Sequence, residues 1–375
     1  MTLRYDRIVL REIRLPLKQP FRISSGMVTE RRIALVELQH PDGISGWGEC
    51  VAGEQPNYSP ETIDTAWWAI RTWIAPRVRG EDLPSPNAVS EILERDFRGH
   101  RMAKAAVEMA SWELAARLEG VPLARMLGGT RDEIATGISL GIQSSPDALV
   151  ELALAARKNG YNKIKIKIAP GTDVEFVSAV REALGPSAHL AVDANSAYTL
   201  DDSAVLRRLD TFNLVMIEQP LGREDLVRHA ALQESLRTPL CLDESITDLE
   251  RAQDMVTLGS GRIINIKPGR VGGFASSLAI HDYCWAQHVP VWCGGMLESG
   301  IGRAHNVALA SLPNFTLPGD LSPSSRYWER DVVTPEWTMD ERGMVRVPLD
   351  APGMGVTVDM DRIDNLTVRR DVIGR

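Results

Sequence analysis

The feature that most constrains the fold is a ladder of short apolar runs, each ending in a polar residue, in the middle of the chain. Its first rung is Lys163-Ile164-Lys165-Ile166-Lys167-Ile168, in which lysine and isoleucine alternate strictly. Alternation with a period of two is typical of a β-strand with one apolar face and one charged face. Similar runs follow at intervals of about 25 residues, the length of one strand plus one helix. They end at Asp193, Glu218, Asp243, Lys267 and Cys293. The ladder therefore predicts a βα repeat.

The number of strand candidates predicts how the repeat closes. They lie at 136–142, 164–168, 189–194, 214–218, 240–243, 263–267, 289–293 and 314–317. Segments between them, such as 146–158 and 274–287, have helical periodicity. Eight parallel strands with helical crossovers form a TIM-type barrel, so we assign the chain to the α/β class with a (β/α)7β barrel.

The residues before the ladder predict a separate α+β domain. Strands are expected at 7–15 and 32–39, with loops at 20–26 and 51–60. Helices are expected near 61–76, 86–96 and 100–119, the last ending at Gly120. A strand-rich and then helix-rich opening is typical of an α+β domain. We place this domain at 1–129, the barrel at 130–324, and at 325–375 a C-terminal segment that packs back on the first domain.

Composition excludes several classes of function. The chain has 375 residues and a net charge of −8 without long single-sign runs, which argues against nucleic acid or an anionic membrane as partner. Its beginning is too charged for a secretory signal, and its apolar stretches are too short to span a bilayer. Cys50, Cys241, Cys284 and Cys293 form no Cys-x-x-Cys pair and are expected to be reduced thiols, so we expect a cytoplasmic protein.

The barrel changes how the lysine run must be interpreted. A surface strand with solvated lysines is the ordinary reading of such a run in isolation. In a barrel, Ile164, Ile166 and Ile168 must face the helices, which turns the lysines inward. Buried ammonium groups need charge partners, and Asp193, Glu218 and Asp243 end the next three strands.

Three carboxylates that converge repel one another, so we expect a divalent cation between them. Any one of these acids could instead be a helix N-cap or part of a rim salt bridge, but three in register favour a metal site. Oxygen ligands with room for water and substrate point to Mg²⁺, with Mn²⁺ as a substitute.

Lys167 on the second strand and Lys267 on the sixth would lie opposite each other, with the carboxylates on the arc between them. A substrate carboxylate held at the metal would then have one amine on each face of its α-carbon. Removal of an α-proton gives an enediolate, which a divalent cation stabilises. Lysine is normally protonated at neutral pH, and Lys165 supplies the neighbouring positive charge that a lysine base requires.

These residues resemble the enolase superfamily and, within it, the muconate-lactonising-like branch. Lys165-Ile166-Lys167, Asp193-Ala194-Asn195, Glu218-Gln219-Pro220, Asp243-Glu244-Ser245 and Lys267 stand in that family's order. Stretches such as 168–173, 291–303 and 326–331 look like the o-succinylbenzoate synthase/N-succinylamino acid racemase (N-acylamino acid racemase) group. Arg270 is what racemase-competent members of that group carry.

The resemblance implies an architecture and a substrate site. The first domain corresponds to the family's capping domain, whose loops at 20–26 and 53–59 close over the acyl end of the substrate, and a homo-oligomer is expected. The substrate would be an N-succinylamino acid or the cyclohexadiene precursor of o-succinylbenzoate, an intermediate of menaquinone biosynthesis. The residues expected to bind it are Phe21, Ser24, Tyr58, Ser139, Asn195, Arg270, Gly294, Gly295 and Met296. Asn57 departs from the larger apolar residue expected there, which leaves the preferred side chain or acyl group open.

Other branches and roles fit less well or stay open. A mandelate-racemase-type dehydratase would have a histidine on strand seven, and a dipeptide epimerase would have a second acid after Asp320-Leu321. A muconate cycloisomerase would share every catalytic residue and differ in the capping loops, whereas a non-catalytic metal-binding scaffold would not need paired lysines. Gly294-Gly295 could be a plain turn or an anion site. Among the histidines only His305 is expected near the site.

Overall fold

The computed structural model describes residues 2–23 and 26–374, and the first part of the chain forms a long hairpin and a helical layer. The strands are β1 (Arg7–Ile23), β2 (Gly26–Gln39) and β3 (Ser45–Cys50). The helices are α1 (Ile63–Ala69), α2 (Ala75–Val78), α3 (Pro86–Glu94), α4 (Arg101–Glu119) and α5 (Leu123–Met126). A π-helical turn at Ile70–Ile74 joins α1 to α2 without a break. It precedes Pro76, which lacks the N–H that a regular α-helical turn needs.

Two predictions for this part have different outcomes. The predicted end of the third helix is confirmed, because Gly120 is left-handed at φ 69° and its N–H donates to the carbonyls of Ala116 and Arg117. The prediction of a loop at 20–26 is wrong for the residues that the structure describes, 20–23 and 26, which belong to β1 and β2. Phe21 pairs with Val28 and Arg22 with Met27, so the hairpin extends beyond the core. Backbone pairing needs no apolar alternation, and the sequence pattern therefore could not show it.

The middle of the chain forms the barrel. After β4 (Glu133–Ala135), its strands are β5 (Gly137–Leu140), β6 (Lys163–Lys167), β7 (Leu190–Asp193), β8 (Ile217–Glu218), β9 (Leu240–Leu242), β10 (Ile263–Ile266) and β11 (Val291–Cys293). Its helices are α6 (Pro146–Lys158), α7 (Val174–Leu184), α8 (Ser203–Leu209), α9 (Leu226–Glu234), α10 (Leu249–Leu258), α11 (Pro268–Val271), α12 (Phe274–Ala286) and α13 (Gly300–Ala310). The strands pair in parallel in chain order from β5 to β11, which confirms the barrel.

The eighth predicted strand, 314–317, is reduced to single bridges. Phe315 bridges to Val291 on one side of the gap, and Gly319 bridges to Thr136 on the other. The N–H groups of Phe315 and Thr316 donate to nearby carbonyls of the same turn, those of Leu312 and Asn314, and so do not pair with a neighbouring strand. The segment nevertheless closes the barrel between β11 and β5.

The rest of the chain returns to the first part. It contains β12 (Val333–Thr334), β13 (Met344–Arg346), β14 (Thr357–Val358), α14 (Met360–Leu366) and β15 (Thr367–Ile373). β15 pairs antiparallel with β1, which gives a sheet of order β15-β1-β2-β3. Within the residues described, no helix combines the length and apolar character needed to cross a membrane.

The barrel's two faces differ as the lysine–isoleucine alternation requires. Ile164, Ile166 and Ile168 are buried in one core with Val177 and Val180 of α7. Inside the barrel a small apolar floor contains Met216, Cys241 and Trp292. The polar ends of the strands lie above that floor.

Candidate active site

The alternating strand β6 directs three lysines into the barrel. Lys163, Lys165 and Lys167 are 1%, 3% and 9% exposed. The Lys165 Nζ lies 2.8 Å from Glu218 Oε2, 3.2 Å from Asp193 Oδ2 and 2.8 Å from Asp320 Oδ2. Burial alone would disfavour its charge, but these carboxylates outweigh burial and hold the pKa of Lys165 well above its ordinary value. Lys165 is therefore a fixed positive charge beside Lys167.

The other two lysines on which the prediction depends pair with different carboxylates. Lys167 Nζ lies 2.5 Å from Asp193 Oδ2 and 2.7 Å from Asn195 Oδ1. Lys267 Nζ lies 2.7 Å from Asp243 Oδ2, 3.2 Å from the Tyr58 hydroxyl and 4.9 Å from the centre of the Tyr58 ring. Burial and Arg270 lower the pKa of Lys267, but Asp243, Tyr58 and Glu218 outweigh them and hold the pKa well above its ordinary value. A divalent cation at these carboxylates would compete with both ammonium groups.

The three predicted metal ligands converge closely enough to perturb one another. Asp193, Glu218 and Asp243 are essentially fully buried at the ends of β7, β8 and β9. Burial, and then repulsion from Asp193 and Asp243, raises the pKa of Glu218 to about 8 although Lys165 opposes the shift. Burial and the charges of the same two aspartates raise the pKa of Glu244 to about 7. Such crowding of hard oxygen donors fits a divalent cation.

The predicted ligand set is not preformed. Among residues 2–23 and 26–374, no three acidic, histidine or cysteine side chains are already grouped as metal ligands. The reason is that each carboxylate is turned toward a cation or an amide: Asp193 toward Lys167, Asp243 toward Lys267 and Arg270, and Glu218 toward Lys165 and Asn265. An ion held by all three acids would replace these partners.

A cavity of about 470 Å³ lies between the capping side and the open end of the barrel. The structure brings to its wall both proposed bases and five of the predicted binding residues. These are Lys167, Lys267, Phe21, Tyr58, Asn195, Gly295 and Met296. Asn57 also lies in the wall. The cavity therefore combines a position for a small substrate with two lysines.

The remaining predicted binding residues have other places. Ser24 lies outside the described residues. Ser139 is buried on β5 beside Lys165, and Arg270 is buried behind Asp243, where its Nε donates to the Ile246 carbonyl at 2.8 Å. Gly294 acts through its lack of a side chain, because a Cβ there would lie 2.6 Å from Lys267 Cε. None of these three residues is in the described wall of the cavity, and their part in substrate binding stays a prediction.

His305 is a core residue and not a site residue. It is fully buried on α13, and its ring packs edge-on against Phe274 at 5.6 Å. Burial lowers the pKa of His305 to about 4, so the imidazole is neutral at physiological pH.

Sequence reasoning missed Asp320 as part of the charge network. Its carboxylate lies 2.8 Å from Lys165 Nζ and 3.5 Å from Lys163 Nζ, and the Lys163 ammonium also lies 3.5 Å from the centre of the Trp292 ring. The signal was present, because Asp320 follows the closing segment as the other acids follow their strands. Glu244 was named only as part of a family motif, and its contact was not foreseen; it accepts a hydrogen bond from Asn195 Nδ2 at 3.0 Å.

Comparison with known proteins agrees with this geometry. Residues 7–128 match the "Mandelate racemase / muconate lactonizing enzyme, N-terminal domain" family, and residues 148–362 match "Enolase C-terminal domain-like". The chain is 48% identical over 369 residues to an o-succinylbenzoate synthase from Geobacillus kaustophilus, covering 98% of this chain and 97% of that protein. It is 45% identical over 366 residues to an N-succinylamino acid racemase from Thermus thermophilus, covering 98% of both. A crystal structure of an enolase superfamily member from Listeria innocua Clip11262 superposes with a TM-score of 0.96 at 39% identity, covering 100% of both chains.

Proposed function

Because this chain belongs to the enolase superfamily, we propose that it removes the α-proton of an N-succinylamino acid and returns a proton to the opposite face, as a racemase. One observation carries the proposal: Lys167 and Lys267 line the same cavity from the two ends of the arc of carboxylates. A single base would suffice for an elimination, whereas two opposed lysines permit inversion at the α-carbon.

The carboxylates of Asp193, Glu218 and Asp243 would hold Mg²⁺, or Mn²⁺ in its place. When bound, the ion would supply a Lewis acid that stabilises negative charge developing on the substrate carboxylate. Carboxylates that held the ion would no longer be available to pair with the ammonium groups of Lys167 and Lys267. Loss of these partners favours the neutral amine that a base requires.

The two lysines would then exchange roles. With one enantiomer, neutral Lys167 accepts the α-proton while the Lys267 ammonium donates a proton to the opposite face. With the other enantiomer, Lys267 accepts and Lys167 donates. Lys165 remains a cation, and the Tyr58 hydroxyl, 3.2 Å from Lys267 Nζ, orients that amine. Arg270 is held against Asp243. It supports the racemase assignment because racemase-competent members of the group that this chain resembles carry an arginine at this position.

A second candidate is the dehydration that forms o-succinylbenzoate, a step of menaquinone biosynthesis, and the 48% identity to an o-succinylbenzoate synthase favours it specifically. In this reaction Lys167 would remove the proton and then protonate the departing hydroxyl on the same face. Lys267 would remain a cation beside the intermediate. The same site would serve both reactions.

We further propose that the enzyme is a cytoplasmic homo-oligomer. Support for the compartment comes from Cys50, Cys241, Cys284 and Cys293, which are all buried free thiols. Light scattering after size-exclusion chromatography tests the oligomer, and a monomer would contradict it.

The first test is proton NMR of N-succinyl-L-phenylalanine in D₂O with purified protein and Mg²⁺, combined with optical rotation. Loss of the α-proton signal together with loss of rotation is the expected result. If the α-proton signal persists, the racemase proposal fails. The next assay is then dehydration of the cyclohexadiene precursor. Turnover of cis,cis-muconate is the separate test for a cycloisomerase.

A further inference from the structure

Two buried glutamates of the capping domain accept hydrogen bonds from the first turns of barrel helices. Glu49 on β3 is 0% exposed, and its Oε1 accepts from the Ser299 N–H at 3.1 Å. Its Oε2 accepts from the Ser299 hydroxyl at 2.5 Å and from the Gly302 N–H at 3.0 Å. These donors belong to the N-terminus of α13, where the first N–H groups have no acceptor within the helix.

Glu108 makes the corresponding contact with the neighbouring helix. From α4 its carboxylate accepts from the N–H groups of Phe274 and Ala275, at 2.7 and 2.9 Å. Trp112 Nε1 donates to the same carboxylate at 2.8 Å and fixes its orientation. Phe274 begins α12, three residues after the short helix that carries Arg270. The capping domain is therefore joined to the helices that follow β10 and β11.

The Glu49 contact continues directly into the cavity wall. The loop from Gly294 to Glu298 lies between β11 and Ser299, and three of its residues line the cavity. Within this loop Glu298 Oε1 accepts from the Met296 N–H at 2.8 Å. Movement of Ser299 would therefore be transmitted to Met296.

The close approach is built into the sequence at Gly302. A Cβ there would lie 3.0 Å from Glu49 Cδ and 2.8 Å from Glu298 Cβ, so only glycine leaves room for the carboxylate. Arg31 lies in the cavity wall, where the charges of Glu49 and Glu298 partly offset the lowering of its pKa by burial. The Arg31 guanidinium donates to the Val51 carbonyl at 3.1 Å beside the substrate cavity.

We propose that Glu49 and Glu108 are positioning residues for the proposed reaction. Glu49 would hold the loop 294–298 against the capping domain, and Glu108 would hold the turn that follows Lys267. This inference rests on the proposed function for its consequence in catalysis, whereas the docking itself can be measured without substrate.

The test compares Glu49→Gln and Glu108→Gln with a matched control, Glu113→Gln. A glutamine keeps the size of the side chain, but its amide NH₂ group cannot accept the hydrogen bonds that the second carboxylate oxygen accepts. Glu113 is also 0% exposed and also accepts from a backbone N–H, that of Trp47 at 3.1 Å, but it joins α4 to β3 inside the capping domain.

Hydrogen–deuterium exchange provides the readout that does not depend on activity. In Glu49→Gln we expect amides at 294–302 to exchange at least ~10-fold faster, while those at 268–275 keep their rate. In Glu108→Gln we expect faster exchange at 268–275 and an unchanged rate at 294–302. Ser299→Ala, which removes one of the three donors to Glu49, should produce a smaller change in the same peptide. Unchanged exchange at 294–302 in Glu49→Gln, or an equal change in Glu113→Gln, would overturn the proposal.

Kinetics then separate positioning from a general loss of stability. Glu49→Gln should raise KM for N-succinyl-L-phenylalanine at least ~5-fold with a smaller effect on kcat, because the disturbed loop lines the cavity. Glu108→Gln should lower kcat more than it changes KM, and Glu113→Gln should leave both unchanged. The reverse pattern would overturn the assigned roles. A wild-type protein without turnover would refute the proposed function. The exchange data would still show whether Glu49 and Glu108 hold the capping domain against the barrel helices.

Discussion

At the scale of single residues, the two lysines at the ends of the carboxylate arc make separable predictions. Exchange of the α-proton from one enantiomer requires the lysine on that face, whereas racemisation requires both. In Lys267→Ala we expect racemisation to fall at least ~10²-fold while deuterium still enters the enantiomer that Lys167 deprotonates. Lys167→Ala should also lose racemisation, and deuterium should still enter the enantiomer that Lys267 deprotonates. Proton NMR in D₂O follows both variants.

The control for both variants is Lys158→Ala, at an exposed position on α6, which should behave as wild type. Undiminished racemisation in Lys267→Ala would contradict the mechanism with two lysine bases.

Gly294 sets the position of one of these lysines through the space it leaves. A Cβ at this residue would lie 2.6 Å from Lys267 Cε and 2.5 Å from the Asn265 amide. Gly294→Ala should therefore displace the amine and lower kcat at least ~10-fold, whereas KM changes less because Gly294 is not part of the cavity wall. Steady-state kinetics in both reaction directions measure the effect.

Gly222→Ala is the matched control for this substitution, because a Cβ there meets no atom within 4 Å. A Gly294→Ala enzyme with wild-type kcat would show that Lys267 is free to move without loss of function.

At the scale of elements, helix α13 contains a titratable group in its buried face. Burial lowers the pKa of His305 to about 4, below the ordinary value of 6.5, so the unfolded chain binds a proton that the folded chain rejects. The contribution of this residue to stability is therefore present above pH 6.5 and is lost as the pH falls toward 4. Between pH 7 and pH 5 it should lower the free energy of unfolding by about 2 kcal/mol.

Urea unfolding at the two pH values tests this expectation with His305→Gln, which has no imidazole to titrate. The variant is less stable at pH 7 but should lose about 2 kcal/mol less than wild type on acidification. His288→Asn, at an exposed position whose φ of 56° an asparagine tolerates, is the control for replacing a histidine on the surface. Equal pH dependence in wild type and His305→Gln would contradict the assignment.

Several elements could be predicted from the sequence because local pattern and final environment agree. In β6 the alternation of lysine and isoleucine is itself the alternation between lumen and helix layer, so the direction of Lys165 and Lys167 followed from the pattern. The closing segment at 314–317 is different. Its apolar residues resemble a strand, but the N–H groups of Phe315 and Thr316 donate to carbonyls of the same turn and not to a neighbouring strand.

Contacts between distant segments could not be predicted in the same way. Asp320 joins Lys165 across 155 residues of sequence, because the barrel closes there. Glu49 and Glu108 look like ordinary acids of a strand and a helix, and only the docking of the two domains shows what they bind. The proposed metal ligands were identifiable as acids, but their pairing with lysines depends on side-chain positions that spacing does not encode.

At the scale of the whole molecule, the proposed ion would link three consecutive barrel strands. A ligand that binds only the folded state raises the free energy of unfolding by about 2.7 kcal/mol at 100 times its dissociation constant. MgCl₂ added to EDTA-treated protein should therefore raise Tm in a concentration-dependent way, and MnCl₂ should substitute. Differential scanning calorimetry measures the shift.

Glu218→Gln should lose most of this shift, because it removes a charged ligand from the centre of the arc. Asp350→Asn, whose side chain is 76% exposed in a surface pair with Arg346, should keep it. The same Mg²⁺ shift in Glu218→Gln as in wild type would place the ion elsewhere.

The pairing of β15 with β1 has a consequence for how the protein is made. Ile8 lies opposite Ile373, so the sheet that carries the capping domain stays incomplete until residues 367–373 have left the ribosome. Translation proceeds at roughly 5 to 20 residues per second, so the hairpin of β1 and β2 waits roughly 20 to 70 s for its outer strand. During that interval β1 has an unpaired edge, which is a hazard for aggregation. The barrel is synthesised entirely within this interval, so the nascent chain can assemble its catalytic half before the cap that covers it is finished.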